Sequence, residues 1–172
     1  MPAFIVLLRA VNVGGTGKLP MAELKAMCVA AGFSKVQTYI ASGNVVFETK
    51  MPPGKIKAVL EASLKSYTGK PIGVLVRSLE EMAAVLKSNP FPDAATNSTV
   101  AIFLDQPPPA SALDDVKGLK DEKLRLGTRE IYVHYGAGMG HSKLRIPSAK
   151  NGTARNMNTV AKLVELAAKL PV

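Results

Sequence analysis

Lys35-Val36-Gln37-Thr38-Tyr39-Ile40-Ala41-Ser42-Gly43-Asn44-Val45-Val46-Phe47-Glu48-Thr49-Lys50 decides how this chain folds. β-Branched and aromatic residues flank Ser42-Gly43-Asn44, a compact turn signal. The stretch therefore reads as two strands, 35–41 and 45–50, joined in a hairpin. Upstream, Ala3 to Arg9 is apolar nearly throughout and reads as a strand buried on both faces. Pro20 opens a helix at the favoured first position, running to about Ala31, and Gly32 ends it. Downstream, Pro52-Pro53-Gly54 breaks the chain. Ile56, Val59, Leu60, Leu64 and Tyr67 then mark one face of an amphipathic helix. Gly69 closes that helix, and 72–76 is a further strand. The order is β-α-β-β-α-β, the ferredoxin-like arrangement.

The second half repeats the theme. Ser78-Leu79-Glu80-Glu81 is a capping box that starts a linking helix, which ends near Ser88-Asn89-Pro90. Thr99 to Leu104 reads as a buried strand, followed by a turn at Gln106-Pro107-Pro108-Pro109 and a short helix over 111–117. Strands at 123–126 and 130–135 form a hairpin about Gly127-Thr128. A loop with Gly136, Gly138 and Gly140 leads to a last helix. Thr153-Ala154-Arg155-Asn156 is expected in its first turn, and Met157, Val160, Leu163 and Val164 on its core face. The order β-α-β-β-α lacks a final strand. The expectation is an α+β protein of tandem ferredoxin-like (βαββαβ-type) units with mainly antiparallel sheets. Residues 1–78 form the first unit, 79–97 a linking helix and loop, and 98–172 a second, incomplete unit. The duplication rests on element order, since no residue-level repeat stands out.

Composition narrows the function. At 172 residues and 47% hydrophobic, the chain can bury a core and is not disordered. No run approaches the ~20 apolar residues of a membrane span. The N-terminus lacks a basic leader and a cleavage site, so a cytoplasmic protein without a membrane partner is expected. Cys28 is the single cysteine. It falls in the helical stripe Met21, Leu24, Met27 and Cys28 and is expected to be a buried core thiol rather than a nucleophile. The net charge is +9. Between Glu130 and Glu165 there is no acid, whereas Lys143, Arg145, Lys150, Arg155 and Lys162 fall there. Such a surface suits a phosphorylated ligand or nucleic acid.

Three polar stretches concentrate the site chemistry: Arg9-Ala10-Val11-Asn12-Val13-Gly14-Gly15, Ser42-Gly43-Asn44 and Arg155-Asn156-Met157-Asn158-Thr159. Gly14-Gly15-Thr16-Gly17-Lys18 is not a phosphate-binding P-loop. Asn12 stands where its first glycine belongs, and Leu19 where the magnesium-binding hydroxyl belongs. Pro20 likewise breaks a dinucleotide fingerprint. A helix start without a capping side chain, preceded by Lys18, remains a plausible anion cradle. Arg155 in the first turn of the last helix would oppose the helix dipole, a conflict that a bound phosphate relieves. The candidate ligand set is therefore Arg9, Asn12, Gly14, Gly15, Lys18, Ser42, Gly43, Asn44, Ser142, Lys143, Arg155, Asn156 and Thr159.

No metal or cofactor is expected. Gly140-His141-Ser142-Lys143 has no nearby acid to orient the histidine, which disfavours hydrolysis. Base stacking on a sheet is also disfavoured, because Asn44 to Glu48 offers one aromatic, Phe47. Phosphate contacts in loops are the form left for nucleic acid. Two alternatives stand beside binding. One is an enzyme for a small anionic substrate, with Ser42, Ser142, Lys143 and Arg155 around one cleft. In the other, the Asn and Ser side chains satisfy backbone groups and the motifs are structural.

Several motifs together resemble a bacterial family known as domain of unknown function 1697. They include Leu8-Arg9-Ala10-Val11-Asn12-Val13-Gly14-Gly15, Pro20-Met21-Ala22-Glu23-Leu24, Thr38 to Phe47, Val76-Arg77-Ser78, Asn89-Pro90-Phe91, Ser142-Lys143-Leu144 and Thr153 to Thr159. Ala10 and Met157 stand where members often carry Gly and Trp. The resemblance implies tandem α+β units and brings no activity with it.

Overall fold

In the computed structural model, residues 2–9, 19–40, 43–136 and 142–170 are described. The first set of elements is β1 (Ala3–Leu8), α1 (Met21–Ala30), β2 (Ser34–Thr38), β3 (Asn44–Glu48), α2 (Pro53–Thr68) and β4 (Val74–Ser78). Then come α3 (Leu79–Lys87), β5 (Thr99–Phe103), β6 (Lys123–Leu126), β7 (Glu130–His134), β8 (Thr153–Asn156) and α4 (Met157–Ala168). The result is α+β: two four-stranded antiparallel sheets and, among the described residues, four helices. One sheet runs β2-β3-β1-β4 and the other β6-β7-β5-β8. In both, the first strand of the set lies between the third and fourth.

By compactness the chain divides into residues 1–83 with 162–172, and residues 84–161. In the first unit, Phe4, Val6 and Leu8 of β1 join Val45 and Phe47 of β3 on one sheet face, because side chains alternate along a strand. Leu24 and Cys28 of α1, with Ile56, Leu60 and Leu64 of α2, complete that cluster. Phe33 stacks on Phe47 with ring centroids 4.2 Å apart. Ile5 and Leu7 on the opposite face are buried as well, as an unbroken apolar strand requires. Gly32 and Gly69 end α1 and α2 at φ of 90° and 76°, the left-handed stop that glycine adopts without strain. Burial raises the Cys28 thiol pKa to about 12, so it stays an unreactive thiol.

The second unit differs from expectation in two places. Residues 111–117 form turns instead of a helix, and Lys117 makes an isolated bridge with Arg145. Moreover, Thr153-Ala154-Arg155-Asn156 is not a helical turn. It is β8, paired with β5 in the register Val100↔Asn156, Ala101↔Arg155, Ile102↔Ala154 and Phe103↔Thr153. The second sheet thus gains a fourth strand that precedes α4 instead of following it, so its order is not the expected β-α-β-β-α, and α4 starts four residues later than expected. An open sheet edge offered backbone partners, and that pairing outweighs the weak local preference of a short polar segment.

With this strand in place, a similar strand-to-helix junction occurs twice. Val76-Arg77-Ser78 ends β4 and leads directly into α3, and Ala154-Arg155-Asn156 ends β8 and leads directly into α4. Arg77 pairs with Ile5 and Arg155 with Ala101, each the third residue of its central strand. Both arginines are buried. Ser78 Oγ accepts the Glu81 N–H at 3.1 Å, and Asn156 Oδ1 accepts the Thr159 N–H at 2.9 Å. Each helix is therefore capped from the last residue of the preceding strand. Glu81 completes the expected capping box by accepting the Ser78 N–H at 2.9 Å.

Candidate functional site

The described residues of the first two polar motifs, Arg9, Gly43 and Asn44, lie at one end of the first sheet. Leu8 N–H donates to Gly43 O at 2.8 Å, and Arg9 N–H donates to Gly73 O at 2.9 Å. Residues 8–9, 43 and 73 thus lie side by side. Gly43 has a φ of 91°. Asn44 is fully buried and its Nδ2 donates to Tyr39 O at 2.9 Å, which locks the turn from inside. Ile40 has a φ of 51° while about half exposed. A β-branched residue rarely adopts that conformation, which costs roughly 1–3 kcal/mol. Arg9, Gly43 and Asn44 are therefore neighbours. Asn12, Gly14, Gly15, Lys18 and Ser42 lie outside the described residues. The cap of α1 is Pro20, one residue later than expected, and it makes no side-chain capping bond.

The third motif has a different character. Arg155 lies in β8 and is buried, so the expected conflict with a helix dipole does not arise. Its guanidinium donates to Thr153 Oγ1 at 2.8 Å and to Ala154 O at 2.9 Å. Burial lowers its pKa to about 10, which leaves it charged at neutral pH. Asn156 fills the start of α4 with its own oxygen, in the place where an anion had been expected. Asn158 Oδ1 accepts a hydrogen bond from the Thr96 hydroxyl at 2.6 Å. Asn156→Ala is expected to cost about 0.5–2 kcal/mol, the usual worth of such a cap, and a lowered melting temperature checks it.

Ser142 and Lys143 begin a strap, 142–150, that is extended as far as Ile146 and ends in a single 3-10 turn at Pro147–Ala149. Ser142 Oγ donates to Glu122 Oε2 and accepts the Leu144 N–H at 3.1 Å. Lys143 is exposed. The Ser142 bond, followed by the Lys120 N–H, holds the Glu122 carboxyl below its usual 4.5. A depressed folded-state pKa contributes stability above the ordinary glutamate range, and that contribution disappears as pH falls through the lowered value. Glu122→Gln is therefore expected to melt below the wild type at neutral pH, with the gap narrowing as pH drops under 4.5. Melting curves across an acid series read this directly.

The strap brings together residues that sequence reasoning did not connect. It walls a cleft of about 600 Å³ in residues 84–161, bordered by Lys117, Tyr135, Arg145 and Lys150. Among the described residues, no carboxylate lines it. Lys117 and Arg145 exchange backbone hydrogen bonds of 2.9 and 2.8 Å. Residues paired in this way project on the same side, so two exposed cations stand next to each other. Like charges directly opposite are destabilising. Tyr135 is half-buried, and its pKa is raised first by burial and then by the Glu122 charge. Its phenol is therefore a neutral hydrogen-bond donor at physiological pH. Arg145 and Lys150 fall in the acid-free window of the sequence but were not among the candidate ligand residues. Lys117 lies outside that window and joins them through the bridge alone.

Among the described residues, no His, Cys, Asp and Glu side chains gather in threes as a metal site. No helix there is long and apolar enough to cross a membrane. These features define an α+β protein with two antiparallel sheets and a cation-lined cleft. More narrowly, the chain belongs to the family described as Protein of unknown function (DUF1697), which matches residues 1–132. In fold it is similar to a conserved bacterial protein, SP0830, from Streptococcus pneumoniae. The two share 25% sequence identity with a TM-score of 0.79, over 96% of this chain and 98% of that one. No curated protein matches.

Proposed function

We propose that this protein binds a phosphorylated or otherwise anionic ligand without transforming it. The observation that carries the reading is the cleft bordered by Lys117, Arg145 and Lys150, with no carboxylate among the described residues of its lining. An oxyanion between Lys117 and Arg145 would relieve the repulsion across their bridge and accept the guanidinium fork. The enzymatic alternative, with Ser142 and Lys143 acting on substrate, has less support. Ser142 Oγ accepts the Leu144 N–H and donates to Glu122, a carboxylate held below its usual 4.5 and therefore a weak base for activating the hydroxyl. The structural alternative accounts for Asn156, Thr159 and Arg155, whose polar atoms serve the protein's own backbone and side chains. Arg9, Gly43 and Asn44 fit a second loop region at the end of the first sheet. Their bonds there serve the turn, so the binding reading does not depend on them.

The same strand order in both sheets, and the Arg-cap repeat at β4 and β8, favour two copies of one ferredoxin-like plan. The second copy would have replaced its helices by turns and by the strap. Calorimetric titration with inorganic phosphate at low and high salt tests the function. Exposed charges are screened over about 10 Å at 0.1 M ionic strength, so affinity must fall as salt rises. Absence of binding at low salt ends the reading.

A further inference from the structure

Behind its cations the cleft is walled by hydrocarbon. Ile102 of β5 and Leu144, Ile146 and Pro147 of the strap supply it. Ile102, Leu144 and Ile146 pack against the buried cluster Val100, Leu104, Ile131 and Val133. The wall is therefore continuous with the core. The strap explains how charge and hydrocarbon come to share one opening. Along its extended backbone Lys143 and Arg145 are exposed, while Leu144 and Ile146 are half-buried. This two-residue alternation presents cations to water and aliphatic side chains to the core.

The volume of about 600 Å³ is that of a small-molecule site. A nucleic-acid strand asks for something else, a track of cations with several aromatic faces on which successive bases stack. Tyr135 is the aromatic residue that borders this cleft, and its backbone is tied to Ser98 O.

We infer that the cleft binds a small amphipathic acid, with one phosphate or carboxylate head between Lys117 and Arg145 and a ring-sized apolar body lying on Ile102, Leu144 and Ile146. The inference rests on the anion-binding reading above and adds the apolar body to it. Phosphate and carboxylate share the oxyanion chemistry, and the probes separate them.

Titration calorimetry on the whole chain would use inorganic phosphate, naphthyl phosphate, naphthoate, naphthyl methanol and a phosphorylated oligonucleotide. Naphthyl phosphate is expected to bind at least about tenfold more tightly than inorganic phosphate, since burying ~60 Å² of hydrocarbon is worth that factor. Naphthoate binding to a similar degree would assign the head as either oxyanion, and its failure would assign phosphate; both results support the inference. Ala149 also borders the cleft, so Ala149→Phe should fill it and remove the advantage of naphthyl phosphate over inorganic phosphate. Ile146→Gln makes the apolar wall polar and should bring naphthyl phosphate affinity down toward that of inorganic phosphate, with circular dichroism and melting temperature reporting the fold. Equal affinity for inorganic and naphthyl phosphate overturns the inference and leaves the anion reading intact. Preference for the oligonucleotide, or equal affinity for naphthyl methanol, overturns it as well. Binding of none of the probes removes both readings.

Discussion

Arg145→Glu should weaken binding of a phosphate ester by about ten- to a hundredfold while leaving the fold at least as stable. A hydrogen bond to a charged group contributes about 1.5–3 kcal/mol, and each 1.4 kcal/mol is a factor of ten in affinity. The reversed charge adds repulsion at the point where the oxyanion would sit. Stability responds in the opposite direction. Lys117 and Arg145 are exposed and directly paired across an antiparallel bridge. Replacing the arginine by glutamate turns a like-charge pair into an opposite one, worth roughly 0.2–1 kcal/mol. Calorimetric affinity and melting temperature should therefore move in opposite directions. A variant that lost affinity and stability together would show that Arg145 holds the strap instead of the ligand.

Gly118→Ala should destabilise the chain by about 2–5 kcal/mol and weaken ligand binding with it. Gly118 has a φ of 71°, which costs any other L-residue about 1–2 kcal/mol. A Cβ there would also lie on top of the Lys143 carbonyl, with the Leu144 nitrogen 3.3 Å away. Those neighbours are backbone and cannot rotate aside, so an overpacking cost of about 1–3 kcal/mol is added. The strap could retreat only by breaking the Lys117–Arg145 bridge, and Arg145 would leave the cleft with it. Denaturant or thermal unfolding measures the first effect and titration the second. Unchanged stability would mean that strap 142–150 is not held against Gly118.

Much of the first sheet is legible in the residues. The unbroken apolar run at β1, the turn signal before β3, the amphipathic face of α2 and the left-handed stops at Gly32 and Gly69 all depend on near neighbours. The capping box at Ser78 and Glu81 is legible for the same reason. The second sheet is harder to read. Arg155 looks like the first turn of a helix because an amphipathic stripe begins two residues later, at Met157. A clue was nevertheless present: Asn156 is a favoured N-cap, and placing it at that position would have started α4 at Met157.

The candidate site divides along the same line. That Arg9, Gly43 and Asn44 share a sheet end follows from the hairpin order, which the sequence supports. That Arg155 and Asn156 serve the fold itself follows only from the edge that β5 leaves open for β8.

Taken alone, the amino-acid sequence determined the basic character of the chain, its family likeness, the buried thiol and nearly every element through residue 103. Those properties arise from composition or from contacts within a few residues. Tertiary structure decided that 153–156 becomes a strand, that Arg155 is buried, and that Lys117 meets Arg145 above an apolar wall. Each of these joins segments far apart in the chain. Their pairing is governed by which backbone edges and hydrocarbon faces remain uncovered once the rest has folded, and no local preference encodes that.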